Sequence, residues 1–410
     1  MAIDFMFKKG NGMFLIKVKN VYLFILVTSI IWGQVFKLVN IPGIGTIYLL
    51  QLILLFYFIY QCLSLIINRV AIYNNNNLIH QTNMHFILIG VWTIVLFIFC
   101  EKTTRSNTST VLFLMNLLLI SCVSSSIQDY NDEQCVLRTM LFNSLLLGVI
   151  GMYESFAGRW LFRYDYPTKW NNNSIGTLNP VGVFYNTNNY CMFMVLSLPV
   201  FFMTVKNKFL RGCYTVFILF IATITSCRTG YVAVAIFAVI YLSIKVVRLN
   251  YLKILLTILV IIFAIGSLAV GTISLSDDRI FVWANTIRSC IKTHFIGVGV
   301  GNGPRAIIAN AIYNVIGTNE TMVIAAPHNY FLELLLETGI IGIAILLHWF
   351  IKIIRLIWHY KAEESGMFYF MLLVLLMLTS ICVSTMTDFF QYWLVLAMIL
   401  SFAQRKQNEE

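Results

Sequence analysis

Residues 273–351 decide how this chain is read. They run ISLSDDRIFVWANTIRSCIKTHFIGVGVGNGPRAIIANAIYNVIGTNETMVIAAP as far as 327, then HNYFLELLLETGIIGIAILLHWFI from 328 to 351. The second string is an apolar run long enough to cross a bilayer, which takes about 20 helical residues. The first is too polar to do so. It carries Arg279, Trp283, Arg288, a glycine cluster (Gly297, Gly299, Gly301, Gly303) and Arg305. A protein that only spans a bilayer has no use for such a loop; one that handles a charged head group at the membrane surface does.

Outward from this stretch the apolar pattern recurs. Segments 20–38, 44–67, 84–100, 109–126, 137–156, 180–204, 212–227, 229–245, 253–272, 367–386 and 388–404 join 328–351, giving about twelve spans of the required length. The chain is 59% hydrophobic and 11% charged, with a mean hydropathy of +0.82. That excludes an ordinary soluble domain. No segment has the even alternation of an outer-membrane barrel strand. The expected fold is all-α: a polytopic membrane protein of about twelve transmembrane helices. Residues 1–410 form a single integral membrane domain, and 273–327 form an outward-facing loop with short helices of its own.

Lysine and arginine at the segment ends set the orientation. Lys8, Lys9, Lys17 and Lys19 precede the first segment, and Arg405 and Lys406 follow the last. An even number of spans puts both ends in the cytoplasm. Lys206, Lys208 and Arg211, then Lys245, Arg248 and Lys253, then Lys352, Arg355 and Lys361 fall on that same side. The net charge of +11 therefore sets topology and meets anionic lipid, and does not point to nucleic acid. Arginine prevails among the outward cations: Arg105, Arg159, Arg163, Arg228, Arg279, Arg288 and Arg305. Its planar fork binds phosphate in a bidentate way and stays charged in a partly dry site. The nine cysteines lie mostly inside apolar segments with no C-x-x-C spacing, so neither a zinc site nor a disulfide framework is expected.

Within the loop, Ser276-Asp277-Asp278 reads as a helix cap. Ile280, Trp283, Ile287 and Ile291 follow at spacings of three and four, the pattern of an amphipathic helix on the surface or against the bundle. A second helix is expected from Pro304 to near Gly317. The glycine run between them either presents backbone amides to phosphate or makes a tight turn; it matches no P-loop or dinucleotide motif. Arg228, in Ser226-Cys227-Arg228-Thr229-Gly230, sits between two apolar segments with no loop to spare. Such an arginine is costly unless paired or wet, or it snorkels to the interface. His328 is the candidate general base, although a lone histidine is more often structural. Glu333 and Glu337, one turn apart behind it in an apolar run, need partners that arginine or the histidine can supply. Asn179, Asn186, Asn188, Asn189 and Tyr190 form a polar outward end of the sixth segment, suited to sugar hydroxyls or to one another.

At these residues the chain resembles the O-antigen ligase and Wzy-type polysaccharide polymerase superfamily. His328-Asn329, nine residues, then Gly339-Ile340-Ile341-Gly342 is similar to the ligase-type pattern. Arg288, ten residues, then Gly299 is similar to the Arg-x10-Gly pattern of polymerases. A second Arg-x10-Gly in the other outward loop is absent. The resemblance implies a GT-C-like helical glycosyltransferase of the bacterial cytoplasmic membrane. Its donor would be a glycan on undecaprenyl pyrophosphate, used on the outer face without nucleotide sugar, obligatory metal or other cofactor. It also implies the site residues: His328, Arg228, Arg279 and Arg288 as catalytic groups, and Arg305, Trp283, Gly299, Asn329, Asn188 and Glu333 as substrate-binding groups. The partners implied are the lipid-linked donor, a glycan acceptor, membrane lipid and a chain-length regulator. Polymerisation of lipid-linked repeat units is the expected activity. Transfer of finished glycan to lipid A core is the alternative within the superfamily, and a flippase or transporter is the alternative from another class.

Overall fold

The computed structural model describes residues 18–33, 35–41, 45–68, 78–162, 176, 178–184, 186–245, 279–312, 326–381, 387 and 389–409. The expected span 253–272, the cap at Ser276 and the cations Arg163, Lys8, Lys9 and Lys17 lie outside them. Thirteen α-helices account for most of the described residues. Four are long and apolar enough to cross a membrane: residues 81–99, 104–126, 130–157 and 330–359. Four shorter apolar helices accompany them.

Helices α1 (Val18–Ile31), α2 (Leu49–Asn68), α3 (Leu78–Phe99), α4 (Thr104–Ser126) and α5 (Tyr130–Ala157) come first. They are followed by α6 (Thr187–Thr204), α7 (Lys208–Ile224) and α8 (Arg228–Lys245). Two short helices then form the site region, α9 (Arg279–Lys292) and α10 (Gly303–Asn310). The chain closes with α11 (Tyr330–His359), α12 (Glu364–Thr379) and α13 (Phe390–Glu409).

The first two segments are shorter than their apolar runs. Between α1 and α2 lies an antiparallel hairpin, β1 (Lys37–Ile41) with β2 (Gly45–Tyr48), in which Asn40 faces Thr46. Phe36, Val39, Ile41 and Ile47 favour extended backbone. The Pro42-Gly43 dipeptide between the strands is turn chemistry. Hydropathy alone does not separate such a strand from a helix end.

Two helices form the centre. From Tyr190 to Phe202 α6 is buried on every side, and so is α13 from Phe390 to Gln404. A helix apolar all round belongs in the interior. The peripheral helices instead expose large apolar side chains, including Phe56, Val91, Phe99 and Val216. A soluble surface does not carry contiguous apolar area of this extent; a bilayer accommodates it. Close approach inside the bundle relies on small residues, as is usual for membrane helices. A Cβ at Gly151 would lie 2.0 Å from the Tyr190 hydroxyl, and one at Gly148 would lie 2.4 Å from the Phe217 ring.

The start of α1, the start of α5 and the end of α13 meet at one end of the bundle. There Lys19 pairs with Asp132 at 2.6 Å, Arg405 with Glu133 at 2.5 Å, and Lys406 with Glu363 at 2.8 Å. Arg211, expected in a solvated loop on this side, is 8% exposed. It donates to the carbonyls of Phe202 and Val205, both at 2.6 Å, and so closes the carboxyl end of α6. The hairpin, α9, α10 and the start of α11 occupy the opposite end.

Candidate functional site

The site is built around a break in α11. Gly339 has φ 70° and ψ −173°, which interrupts the helix. The break releases three carbonyls from helical bonding, and each finds a new donor. Val298 N–H donates to Leu336 O and Gly299 N–H to Glu337 O, both at 3.0 Å. Trp92 Nε1–H donates to Thr338 O at 2.7 Å. Ile340 N–H in turn donates to Phe295 O at 2.8 Å. The glycine run is thus spliced along the broken helix. Gly297, Gly299 and Gly301 have φ between 84° and 103°, where only glycine sits without strain. A Cβ on Gly339 would lie 2.1 Å from Ile296 O.

This splice answers the question left open by the glycines. The Gly299 amide is taken up by Glu337 O, so it makes structure and is not turned to an anion. Asn329 likewise caps α11: its Oδ1 accepts from Phe331 N–H at 3.1 Å and Leu332 N–H at 3.3 Å. Glu337 is buried and accepts from Gly303 N–H at 3.3 Å, so one of its partners is the backbone at the start of α10.

His328 stands immediately before that cap. Its φ is 48°, a region that side-chain-bearing residues adopt rarely and at a cost of about 1–3 kcal/mol. Its Nδ1 is buried without a hydrogen-bond partner among the described residues. Burial, followed by the positive charge of Arg279, lowers its pKa from 6.5 to about 4. The imidazole is therefore neutral at pH 7 and available to accept a proton.

The charge of Arg279 acts on His328 from α9, which is fastened beside it. Trp283 Nε1–H donates to Pro327 O at 2.6 Å. Arg279 and Trp283 are four residues apart and share a helix face. The same guanidinium also acts on Cys227, whose thiol is hydrogen-bonded to Cys191 and held below its usual pKa. Arg279 is thus within electrostatic reach of the turn that carries Arg228, the first residue of α8. Ser226 in that turn is another residue at positive φ, 53°.

The remaining candidates are placed elsewhere. Arg288 lies nine residues along α9 from Arg279, about two and a half turns, and so projects from the opposite face; it is exposed. Arg305 is exposed and ion-paired with Glu101, which follows α3. Asn188 lies in the first turn of α6, where its N–H donates to the capping Asn186 Oδ1 at 2.6 Å. Glu333 is half-buried one turn into α11, its N–H bonded to Asn329 O at 2.9 Å.

The stripe expected on α9, on the surface or against the bundle, lies on the outer face. Ile280, Ile287 and Ile291 are exposed, while Asn285, Thr286 and Ser289 are buried. Asn285 Oδ1 accepts from Ile312 N–H at 2.9 Å, and Ser289 Oγ donates to Ala306 O at 3.0 Å. At a membrane the apolar face turns to lipid and the polar face to the protein. The second helix ends at Asn310, well before Gly317; residues 313–325 lie outside the described ones.

Two features went unread in the sequence. Glu154 is fully buried at the end of α5. It accepts from the N–H groups of Leu161, Val181 and Gly182 at 2.8–3.0 Å, tying down the chain that leads into α6. A lone carboxylate at the end of an apolar run was its only signal. An apolar groove between α11 and α13 begins at Tyr330, two residues from His328, and is lined by Phe331, Leu334, Trp349, Tyr392 and Trp393. Its residues come from helices far apart in sequence.

Fold and site together define a multi-pass membrane protein with a neutral imidazole and arginine side chains at one end of the bundle. The family model for O-antigen ligase matches residues 213–347, from α7 to beyond the break in α11. Over this stretch the chain is similar to O-antigen ligases. The match includes Arg228, Arg279, Arg288 and His328. No curated protein matches the chain.

Proposed function

We propose that the protein is a glycosyltransferase that joins repeat units carried on undecaprenyl pyrophosphate into a surface polysaccharide, on the outer face of the bacterial cytoplasmic membrane. The observation that carries this reading is a half-buried His328 whose Nδ1 is buried without a hydrogen-bond partner among the described residues, kept neutral by its burial and by the charge of Arg279. His328 takes the proton of an acceptor hydroxyl. That oxygen attacks the anomeric carbon of the donor from the face opposite the leaving group. The bond between that carbon and the pyrophosphate oxygen breaks, and the configuration inverts. The leaving lipid pyrophosphate gains negative charge, which Arg279 and Arg228 stabilise. Such charge stabilisation is worth about 3–4 kcal/mol per good donor. The polyprenyl tail lies in the aromatic groove between α11 and α13, which begins beside His328 and runs down into the apolar part of the bundle. Residues of the splice and the Trp283–Pro327 hydrogen bond position these groups without taking part in the reaction.

Transfer of finished glycan to lipid A core is the second reading. It is favoured by the description of the matching family model, O-antigen ligase. Purified protein in detergent, given lipid-linked repeat units, tests both. Elongation of the carrier-bound chain, lost in His328→Ala, supports polymerisation. Transfer only to added lipid A core supports ligation. No transfer to either acceptor, with no ion gradient present, overturns the enzyme reading in favour of a transporter.

A further inference from the structure

A second chamber, separate from the aromatic groove, is also lined in part by α11. It is a cavity of about 450 Å³ lined by Arg105, Thr108 and Ser109 of α4, Glu333 and Glu337 of α11, and Thr387. Four of these six lie outside the segment that the family model matches. The volume falls in the range of small-ligand sites, about 300–1,000 Å³.

Its walls are fixed. The start of α4 is held by a capping box between Thr103 and Ser106. Gly301 closes one side so tightly that a Cβ there would lie 2.8 Å from Ser109 Cβ and 2.9 Å from Arg105 O. Glu337 is oriented by Gly303 N–H. Thr387 is pinned through its carbonyl, which accepts from Asn116 Nδ2 at 2.9 Å. A site held this rigidly suits recognition better than a mobile loop does.

The chemistry of the lining selects its ligand. Hydroxyls, one guanidinium and two carboxylates offer donors and acceptors together. Two carboxylates against one arginine disfavour a pyrophosphate, and Leu112 adds an apolar wall on which the carbon face of a sugar ring packs. A polyhydroxylated, uncharged or amino-bearing ligand fits. Glu333 begins about one helical turn, or 5.4 Å, beyond His328-Asn329. That separation places the chamber within one or two sugar units of the base.

We infer that this cavity is the acceptor-glycan subsite. It holds the sugar of the incoming chain so that its hydroxyl is presented to His328, while the diphosphate stays with Arg279. The inference rests on the glycosyltransferase reading and adds a site to it. Arg105, Glu333 and Thr108 are binding residues for the acceptor.

The test uses the detergent-purified full chain and two probes. The first is the repeat-unit oligosaccharide released from the producing strain's own polysaccharide, free of lipid and phosphate. The second is the intact lipid-pyrophosphate-linked repeat. Wild type should bind the oligosaccharide, and Arg105→Ala, Glu333→Gln and the cavity-filling Ser109→Trp should each weaken that binding at least tenfold. Thr108→Val, nearly the same size, guards against misfolding and should weaken it by a smaller factor. The half-saturating acceptor concentration in transfer should rise in parallel, with half-saturation by donor held within twofold. Oligosaccharide binding absent from wild type, or equal in wild type and Ser109→Trp, overturns the subsite. Intact donor binding in Arg279→Ala instead strikes the glycosyltransferase reading, so the two failures are told apart.

Discussion

The two ends of the bundle treat their charges differently. At the end that gathers Lys19, Arg405 and Lys406, carboxylates hold cations. Asp132, Glu133 and Glu363 each take one ion pair, and Glu133 also accepts from the Tyr369 hydroxyl at 2.6 Å. At the other end, buried carboxylates hold backbone. Glu154 takes three amides, and Glu337 takes the first amide of α10. Arg279 consequently makes no ion pair among the described residues, and its field falls on His328 and Cys227. At one end buried carboxylates neutralise cations; at the other they hold backbone, and the ion pair shown there among the described residues is the exposed Arg305–Glu101.

The harshest way to break this comparison is to remove the splice that builds the site end. Gly339→Ala puts a side chain at φ 70° and 2.1 Å from Ile296 O. The expected penalty is several kcal/mol, read as loss of monodisperse protein or a large fall in Tm. His328→Ala comes next. It should lower transfer by about 10²–10⁴, the usual worth of a general base, with Tm and yield retained. Arg279→Ala should lower transfer by about 10²–10³, whereas Arg288→Ala, on the opposite face of α9, should change ΔG‡ by only about 0.5 kcal/mol. Equal losses in the two arginine variants would contradict the placement of α9.

A pH profile sharpens the same contrast. Because the folded-state pKa of His328 is lowered to about 4, its neutral form persists well below pH 6. Activity as kcat/KM should hold as pH falls from 7 and drop only near 4. Arg279→Gln should raise that limb, but not to 6.5, since burial is the larger cause. The stability sign is the same: a depressed histidine pKa contributes fully above about pH 6.5 and loses that contribution as pH falls toward 4. The smallest effect is expected at the exposed pair Arg305–Glu101, where Glu101→Gln should shift stability by less than about 1 kcal/mol.

The helices were legible because a bilayer demands long apolar runs, and eleven of the expected segments coincide with described helices. Of the candidate site the sequence shows residue types but not directions. His328-Asn329 and the paired glycines mark the start and the break of α11. The sequence does not say that the glycine amides serve the released carbonyls, because that bonding joins residues about forty apart. The isoleucine stripe of α9 left two placements open, surface or bundle, and the structure takes the first: Ile280, Ile287 and Ile291 face outward, because beside lipid the apolar side is the outer one. Arg288 drew attention through its spacing to Gly299, yet helix geometry turns it away. Arg105 was visible as an outward cation, but its cavity forms only when α4 meets α11.

If Arg279 and His328 act as one site, a double-mutant cycle on the transfer rate shows it. Groups that work as a unit give non-additive losses. His328→Ala with Arg279→Ala should be little slower than His328→Ala alone. Losses that multiply in full, or single variants that transfer at wild-type rate, would contradict it.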